Sequence, residues 1–179
     1  EELLAIIQQL MTAGNETTRN HLVASIMMLI ERPKLQVGLR RDPALVKKFV
    51  EESLRLESPV QGLFRIANQD TKLRGYKIPK GAKIYLAYGS ANRDEQKFPA
   101  ADELDVTRRN ATQHLAFGYG IHRCIGQMLA RKELEVGIST ILQRLDNITL
   151  KPGHSPIVYT PSFILRGIES LHITFEKIR

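Results

Sequence analysis

A chain of 179 residues is long enough for one domain, since domains average about 150 residues. Its composition, 42% hydrophobic and 25% charged, is globular and excludes intrinsic disorder as the main state. One cysteine excludes an internal disulfide framework and a structural zinc site built on several thiolates. The net charge of +7 is dispersed and the chain has no tryptophan, which favours a solvated mixed surface over a nucleic-acid-binding patch.

The first predicted element is a long helix over residues 3–31. Apolar residues cover nearly every side of it, which predicts a central, buried helix. Polar residues 15–21 interrupt the apolar run well short of about 18 residues, so we expect no membrane segment, and Pro33 ends the helix. The chain enters this helix at Glu1, without a methionine and without a secretory signal, as a piece of a longer protein would.

Further elements follow in chain order. A second helix is predicted from the Asp42-Pro43 cap to about Leu56, and a third long helix from about Cys124 to Leu145. Residues 92–123 show little periodicity, and so long a loop in a compact domain is usually functional. Short strands are predicted at residues 64–68, 83–88, 163–165 and 171–175, with turns at 72–75 and 79–81.

The segment 117–126 carries the most chemical information. Two glycines allow a tight turn, after which Cys124 stands at the predicted start of a helix. Exposed backbone N–H groups and the helix dipole favour a thiolate there, which could be a nucleophile, a redox sensor or a metal ligand. A lone cysteine is also often a small buried hydrophobe. A nucleophile paired with His122 is less favoured, because neighbouring positions in a turn rarely place a base within reach.

The run Phe117-x-x-Gly120-x-His122-x-Cys124-x-Gly126 resembles the haem-ligand loop of the cytochrome P450 family, the haem-thiolate monooxygenases, at every fixed position. The resemblance implies that Cys124 is the axial ligand to the iron of haem b, iron protoporphyrin IX. It also implies that Phe117 packs beside the sulfur and that backbone N–H groups after Gly120 donate to it. His122 matches a position that often holds a haem propionate.

Glu52 and Arg55 are three residues apart on the second predicted helix, where side chains can pair. Such pairs are common on exposed helices and contribute only about 0.3–0.5 kcal/mol. Ahead of the cysteine loop, however, they resemble the family's Glu-x-x-Arg pair, a structural ion pair on the thiolate side of the haem. The family's third partner is an arginine in the following loop; Glu103 stands where it often lies, which leaves the third contact unassigned.

The stretch 13–18 interrupts the first helix with polar and small residues. Gly14 weakens the helix and a threonine hydroxyl can bond back to a carbonyl, which predicts a kink that opens a groove for dioxygen and water. A loosened helix with Glu16 paired to Arg19 is the alternative. The stretch resembles the family's distal-helix motif, which implies catalytic roles: Thr17 hydrogen-bonds dioxygen at the iron and Glu16 feeds protons through water.

Smaller features extend the resemblance. Arg65 is implied to meet a haem propionate through a charge-assisted bond. The runs 92–94 and 114–118 match the soluble bacterial type of the family. Several apolar positions are implied substrate contacts, with ordinary core as the alternative: Ala13, Val60, Leu63, Phe163 and Ile164.

The resemblance covers the whole chain and implies a mainly α fold with small β-sheets (α+β). Residues 1–179 would form one unit, the C-terminal, haem-ligating half of a P450 domain, which alone should bind haem poorly. The implied activity inserts one oxygen atom of dioxygen into an apolar or amphipathic organic substrate, the other leaving as water. A ferredoxin or flavodoxin would supply electrons at the cysteine face, in the cytoplasm, with basic contacts from Arg123, Arg131 and Lys132. The alternative is a truncated or non-catalytic haem-thiolate sensor.

Overall fold

A computed structural model of the protein describes residues 1–154 and 156–178. Its helices and small antiparallel sheets confirm the predicted α+β class. The helices are α1 (Glu2–Ile30), α2 (Pro33–Arg41), α3 (Leu45–Leu56), α4 (Tyr88–Ala91) and α5 (Gln127–Arg144). The strands are β1 (Leu63–Ile66), β2 (Thr71–Leu73), β3 (Tyr76–Ile78), β4 (Lys83–Leu86), β5 (Leu145–Leu150) and β6 (Ile173–Lys177).

The core lies where α1, α2, α3 and α5 meet. Each helix contributes an apolar stripe at helical spacing; on α5 it is Leu134, Ile138 and Leu142, one residue per turn. The same spacing buries Val46, Phe49, Val50 and Leu54 of α3. This core fixes α3 and α5 against each other, and both helices adjoin the cysteine loop.

The first half of α1 is not buried, which corrects the prediction of a central helix. Apolar side chains of its first three turns are largely exposed, Leu4 to 71% and Ile7 to 48%. The buried residues of α1 begin only at Asn20. An apolar surface is buried only where another element covers it, and no described element packs against those first turns.

Proline 33 does two things in the structure. It ends α1 as predicted, but it also opens α2, a helix that the sequence analysis missed. Proline is tolerated in the first turn of a helix, where its missing N–H would have no partner. The predicted cap of the next helix is present in part: the Asp42 carboxylate accepts the Ala44 N–H at 3.1 Å, and α3 is assigned from Leu45.

The sheets are three two-stranded antiparallel pairs, β1–β4, β2–β3 and β5–β6. The predicted strands at 64–68 and 83–88 pair as β1 and β4, although Tyr88 lies in α4. The predicted turn at 72–75 is shorter, since residues 72 and 73 belong to β2 and the left-handed residues are Arg74 and Gly75. The strand predicted at 171–175 corresponds to β6, but β5 was not predicted, because α5 passes directly into it at Leu145. The strand predicted at 163–165 is wrong, since that segment takes part only in an isolated bridge at Leu165.

Candidate functional site

The cysteine loop is a compact turn closed by its own backbone. Gly118 and Gly120 have φ of 67° and 74°, the left-handed region that favours glycine, as the tight-turn prediction requires. The Cys124 N–H donates to the Phe117 carbonyl at 2.9 Å, and the Arg123 N–H donates to the Gly120 carbonyl at 3.1 Å. The peptide of Phe117 therefore fixes the backbone from which the cysteine side chain projects.

The Cys124 thiol is free and exposed, so the interpretation as a small buried hydrophobe is wrong. Within residues 1–154 and 156–178, the sulfur makes no hydrogen bond, and His122 is likewise exposed and does not pair with it. Helix α5 begins at Gln127 with Gly126 as its N-cap, which corrects the predicted start at Cys124. The thiol precedes the helix instead of standing in its first turn, with its sulfur open to an external ligand.

Apolar side chains on both sides of Cys124 in the sequence, called the apolar collar below, face solvent. Ile121 is 97% exposed and Ile125 is 99% exposed, and Tyr119, Met128 and Leu129 are exposed beside them. An exposed apolar patch of this kind marks a binding site. In the part of the chain that the structure describes, no three or more His, Cys, Asp or Glu side chains cluster to hold a metal. One soft ligand in an apolar collar fits a metal whose other ligands come from a flat macrocycle, so the residues fit haem iron.

Glu52 and Arg55 form a completely buried ion pair between α3 and the long loop. Two hydrogen bonds join them, Arg55 Nε to Glu52 Oε2 at 2.9 Å and Nη2 to Oε1 at 2.8 Å. The remaining Arg55 donors reach backbone carbonyls of the loop at Asn92, Ala101 and Glu103, between 2.6 and 3.0 Å. Every part of the buried charge has a partner, which is the condition under which a buried pair is tolerated.

The third partner of this pair is Arg108, which the sequence analysis did not find. Its Nε donates to Glu52 Oε1 at 2.8 Å, while Glu103 contributes only its backbone carbonyl. The arginine lies five residues beyond the expected position, so counting along the loop misses it.

Asn92 ties the beginning of the long loop to its end. The side chain is fully buried; its Oδ1 accepts the Leu115 N–H at 2.6 Å and its Nδ2 donates to Ser58 Oγ at 2.8 Å. One amide at the end of α4 thus joins the second residue after α3 to the segment that enters the cysteine loop. In the sequence, residues 92–94 match the soluble bacterial type of the family, but this match alone did not predict a structural role for Asn92.

The distal stretch of α1 contains the predicted threonine bond without a break in the helix. Thr17 Oγ1 donates to the Ala13 carbonyl at 2.8 Å, yet α1 is continuous from Glu2 to Ile30. Glu16 is exposed, and in the described residues it forms no ion pair with Arg19. No hydrogen bond in residues 1–154 and 156–178 joins Glu16 or Thr17 to the cysteine loop, so their catalytic roles stay predictions.

His21 fastens α1 to α3. The ring is buried; its Nδ1 lies 3.0 Å from the Glu57 carbonyl and its Nε2 lies 3.0 Å from Ser53 Oγ. Burial lowers the pKa of His21 to about 4, so the ring is neutral near pH 7. The neutral ring then donates from Nδ1 to the Glu57 carbonyl, and its Nε2 competes with the Val50 carbonyl, 3.0 Å from Ser53 Oγ, for the single proton of the serine hydroxyl.

Three of the predicted substrate contacts lie together. Val60 forms an isolated β-bridge with Leu165, and the Gln61 N–H donates to the Ile164 carbonyl at 2.7 Å. The Phe163 ring packs edge-on against the Phe64 ring, with 5.9 Å between the ring centres. Leu63 begins β1 and is partly exposed, while Ala13 lies on α1, away from these contacts. Arg65 Nη1 donates to the Phe64 carbonyl at 2.8 Å.

The basic residues predicted for partner docking differ in their surroundings. Arg123 and Lys132 are exposed. Arg131 is partly buried and already paired with Glu51, Nε to Oε1 at 2.5 Å. Its charge is compensated within the protein, so the predicted docking surface reduces to Arg123 and Lys132.

Comparison with known proteins now decides the family. The family model described as Cytochrome P450 matches residues 1–175. The chain belongs to the cytochrome P450 family. It is 42% identical to cytochrome P450-SU2 of Streptomyces griseolus over 93% of this chain and 41% of that protein. It is 40% identical to the biotin biosynthesis cytochrome P450 of Bacillus subtilis over 98% of this chain and 44% of that protein.

Solved P450 structures share the fold. CYP109E1 from Bacillus megaterium, in complex with corticosterone, superposes with a TM-score of 0.92 at 33% identity, covering 96% of this chain and 46% of that one. The chain thus spans less than half the length of the P450s that it matches. The family implies a haem iron cofactor, in agreement with the exposed thiol and its apolar collar. Among the described residues, no helix combines the length and apolar character needed to cross a membrane.

Proposed function

We propose that this chain is the haem-ligating portion of a monooxygenase, in which Cys124 binds the iron of haem b. The observation that carries the proposal is the exposed thiol of Cys124, which forms no hydrogen bond with any described residue and is flanked by the exposed side chains of the apolar collar. A thiol with no structural task is available as a ligand, and apolar neighbours would be covered by a porphyrin. The family match and the order of the three motifs support the same assignment.

The chain's own residues would bind the cofactor and supply protons. Bound haem supplies dioxygen activation, with two electrons, so that one oxygen atom enters an organic substrate and the other leaves as water. His122 and Arg65 would form charge-assisted bonds with the propionates. Thr17 Oγ1, which now donates to the Ala13 carbonyl, would turn its proton towards dioxygen, and Glu16, which is exposed, would pass protons inward through water.

The substrate and the electron donor follow from the same surfaces. An apolar or amphipathic substrate suits the aromatic contacts of Phe163, and the related CYP109E1 was solved with corticosterone. A ferredoxin or flavodoxin with an acidic surface suits the exposed Arg123 and Lys132. Cytoplasmic placement stays a prediction.

The test uses the 179-residue chain alone and the same chain joined to the portion of P450-SU2 outside the match, called the fusion protein below. We expect the fusion protein to bind haem and, when reduced with carbon monoxide, to show the red-shifted Soret band of thiolate ligation. Cys124→Ser should abolish that band, while Thr112→Ser, an exposed change on the same loop, should retain it. A fusion protein without haem, or a thiolate band in Cys124→Ser, would overturn the proposal.

Turnover separates the monooxygenase from a non-catalytic sensor. When a ferredoxin and its reductase supply electrons to the fusion protein, we expect hydroxylated substrate to form in proportion to the electrons consumed. In the Thr17→Ala variant, more of these electrons should reduce dioxygen to hydrogen peroxide instead. A thiolate haem that never oxidises any of a panel of apolar substrates would favour the sensor.

A further inference from the structure

Buried Glu51 of α3, buried His114 of the long loop and partly buried Arg131 of α5 form a polar cluster beside Phe117 of the cysteine loop. We propose that these three side chains are positioning residues for Phe117 and, through its peptide, for the Cys124 ligand. The inference rests on the proposed function, since it concerns the residue that would bind the iron. It assigns Arg131 an internal role in place of partner docking.

The cluster is centred on a two-pronged ion pair. Arg131 Nε donates to Glu51 Oε1 at 2.5 Å, and Nη2 donates to Oε2 at 3.2 Å. Glu51 is only 5% exposed. Burial alone would raise the pKa of the Glu51 carboxyl, but its contacts with His114 and Arg131 lower that pKa to about 2. The carboxylate is therefore charged at every ordinary pH and holds the guanidinium in one orientation.

His114 contacts the other side of the same carboxylate. Its Nδ1 accepts the Ala116 N–H at 3.1 Å, so the neutral ring carries its proton on Nε2. That nitrogen is buried, lies 3.3 Å from Glu51 Oε2 without the alignment of a full hydrogen bond, and has no other partner in the described residues. Because Ala116 immediately precedes Phe117, His114 fixes the backbone that leads into the cysteine loop.

Phe117 links this cluster to the ligand. The guanidinium carbon of Arg131 lies 4.5 Å from the centre of the Phe117 ring, and the His114 ring centre lies 5.8 Å from it. A planar guanidinium held by a carboxylate fixes an aromatic face more strictly than a flexible ammonium would. The Phe117 carbonyl in turn accepts the Cys124 N–H at 2.9 Å. Three contacts thus lead from Glu51 to the backbone of the cysteine.

The first experiment needs no haem. Hydrogen exchange of the Cys124 amide in the 179-residue chain measures how often its bond to Phe117 opens. Glu51→Gln and Arg131→Lys should each speed that exchange by roughly tenfold or more, while exchange in the core of α5 changes less. The control variants Glu133→Gln and Arg144→Lys make the same chemical changes at exposed positions of α5 and should leave the exchange of Cys124 unchanged. Equal exchange of Cys124 in variants and controls would overturn the proposal.

The second experiment separates positioning from simple stability. Replacing both partners, Glu51→Leu with Arg131→Met, removes the uncompensated charge and should recover most of the stability lost in either single variant. We expect Cys124 exchange to remain fast in this double variant, and the thiolate Soret band of its fusion protein to decay sooner than in the parent. Normal exchange and a stable band in the recovered variant would refute the positioning role. A parent fusion protein without a thiolate band would refute the proposed function, while the exchange experiment still decides the positioning.

Discussion

Substitution of Arg55 by methionine should be among the most damaging single changes in the core. Among the described residues it leaves buried Glu52 with Arg108 as its one remaining cationic partner. It also removes the Arg55 donors from the carbonyls of residues 92, 101 and 103, of which residue 103 keeps a bond from Arg108. Breaking a buried pair in this way costs about 3–5 kcal/mol. That is a large part of the roughly 5–15 kcal/mol by which a domain of this kind is stable.

Arg108→Met should destabilise the protein less than Arg55→Met. Arg108 lies nearer the surface, and Glu52 would keep both bonds to Arg55, so the loss should be about 1.5–3 kcal/mol. Urea unfolding of the 179-residue chain, followed by circular dichroism, measures both changes. At a slope of about 2 kcal/mol per molar, Arg55→Met should lower the midpoint by about 2 M.

Arg109→Met is the control, since it makes the same chemical change at the exposed next residue. It should shift the midpoint little, because exposed side chains without partners contribute little to stability. An effect of Arg55→Met no larger than that of Arg108→Met would refute the reasoning that the fully buried arginine carries the pair.

Other predictions concern pH and backbone strain. The pKa of His21 is lowered from 6.5 to about 4, so the unfolded chain takes up the proton at a higher pH than the folded chain does. About 3 kcal/mol of stability should therefore be lost as the pH falls from 6.5 to 4. Urea unfolding measures this loss, which should be smaller in His21→Gln. Glu51 has a lowered pKa of about 2, so its contribution is present above pH 4.5 and lost as the pH falls towards 2; Glu51→Gln should flatten that range. Gly120→Ala, at φ 74°, should destabilise by about 1–2 kcal/mol. Gly14→Ala, exposed within α1, should stabilise by about 0.5–1 kcal/mol, so equal signs for the two glycines would contradict this account.

The fold class and the identity of the cysteine loop could be predicted because both depend on local signals. The spacing of Leu134, Ile138 and Leu142 predicts the buried face of α5, and the glycines at 118 and 120 predict the turn that the structure contains. The start of α5 could not be placed, because residues 124–126 continue the apolar pattern without being helical.

The contacts between distant segments could not be predicted. Arg108 reaches Glu52 across 56 positions, and Arg131 reaches Glu51 across 80. Each of these arginines resembles an ordinary surface residue in the sequence, since only the folded chain brings it to a buried carboxylate. The exposure of the first half of α1 could not be predicted either, because an apolar pattern predicts a helix but does not show which elements pack against it.

The two buried carboxylates of α3 are consecutive residues. One turn of that helix points Glu52 at the segment around Arg55 and Arg108, and Glu51 at His114 and Arg131. A rotation or shift of α3 by one residue would therefore break the contacts of both carboxylates with the long loop at the same time. Insertions or deletions between Phe49 and Arg55 should for this reason be tolerated far less than length changes in the hairpin of β2 and β3, whose residues are almost all exposed.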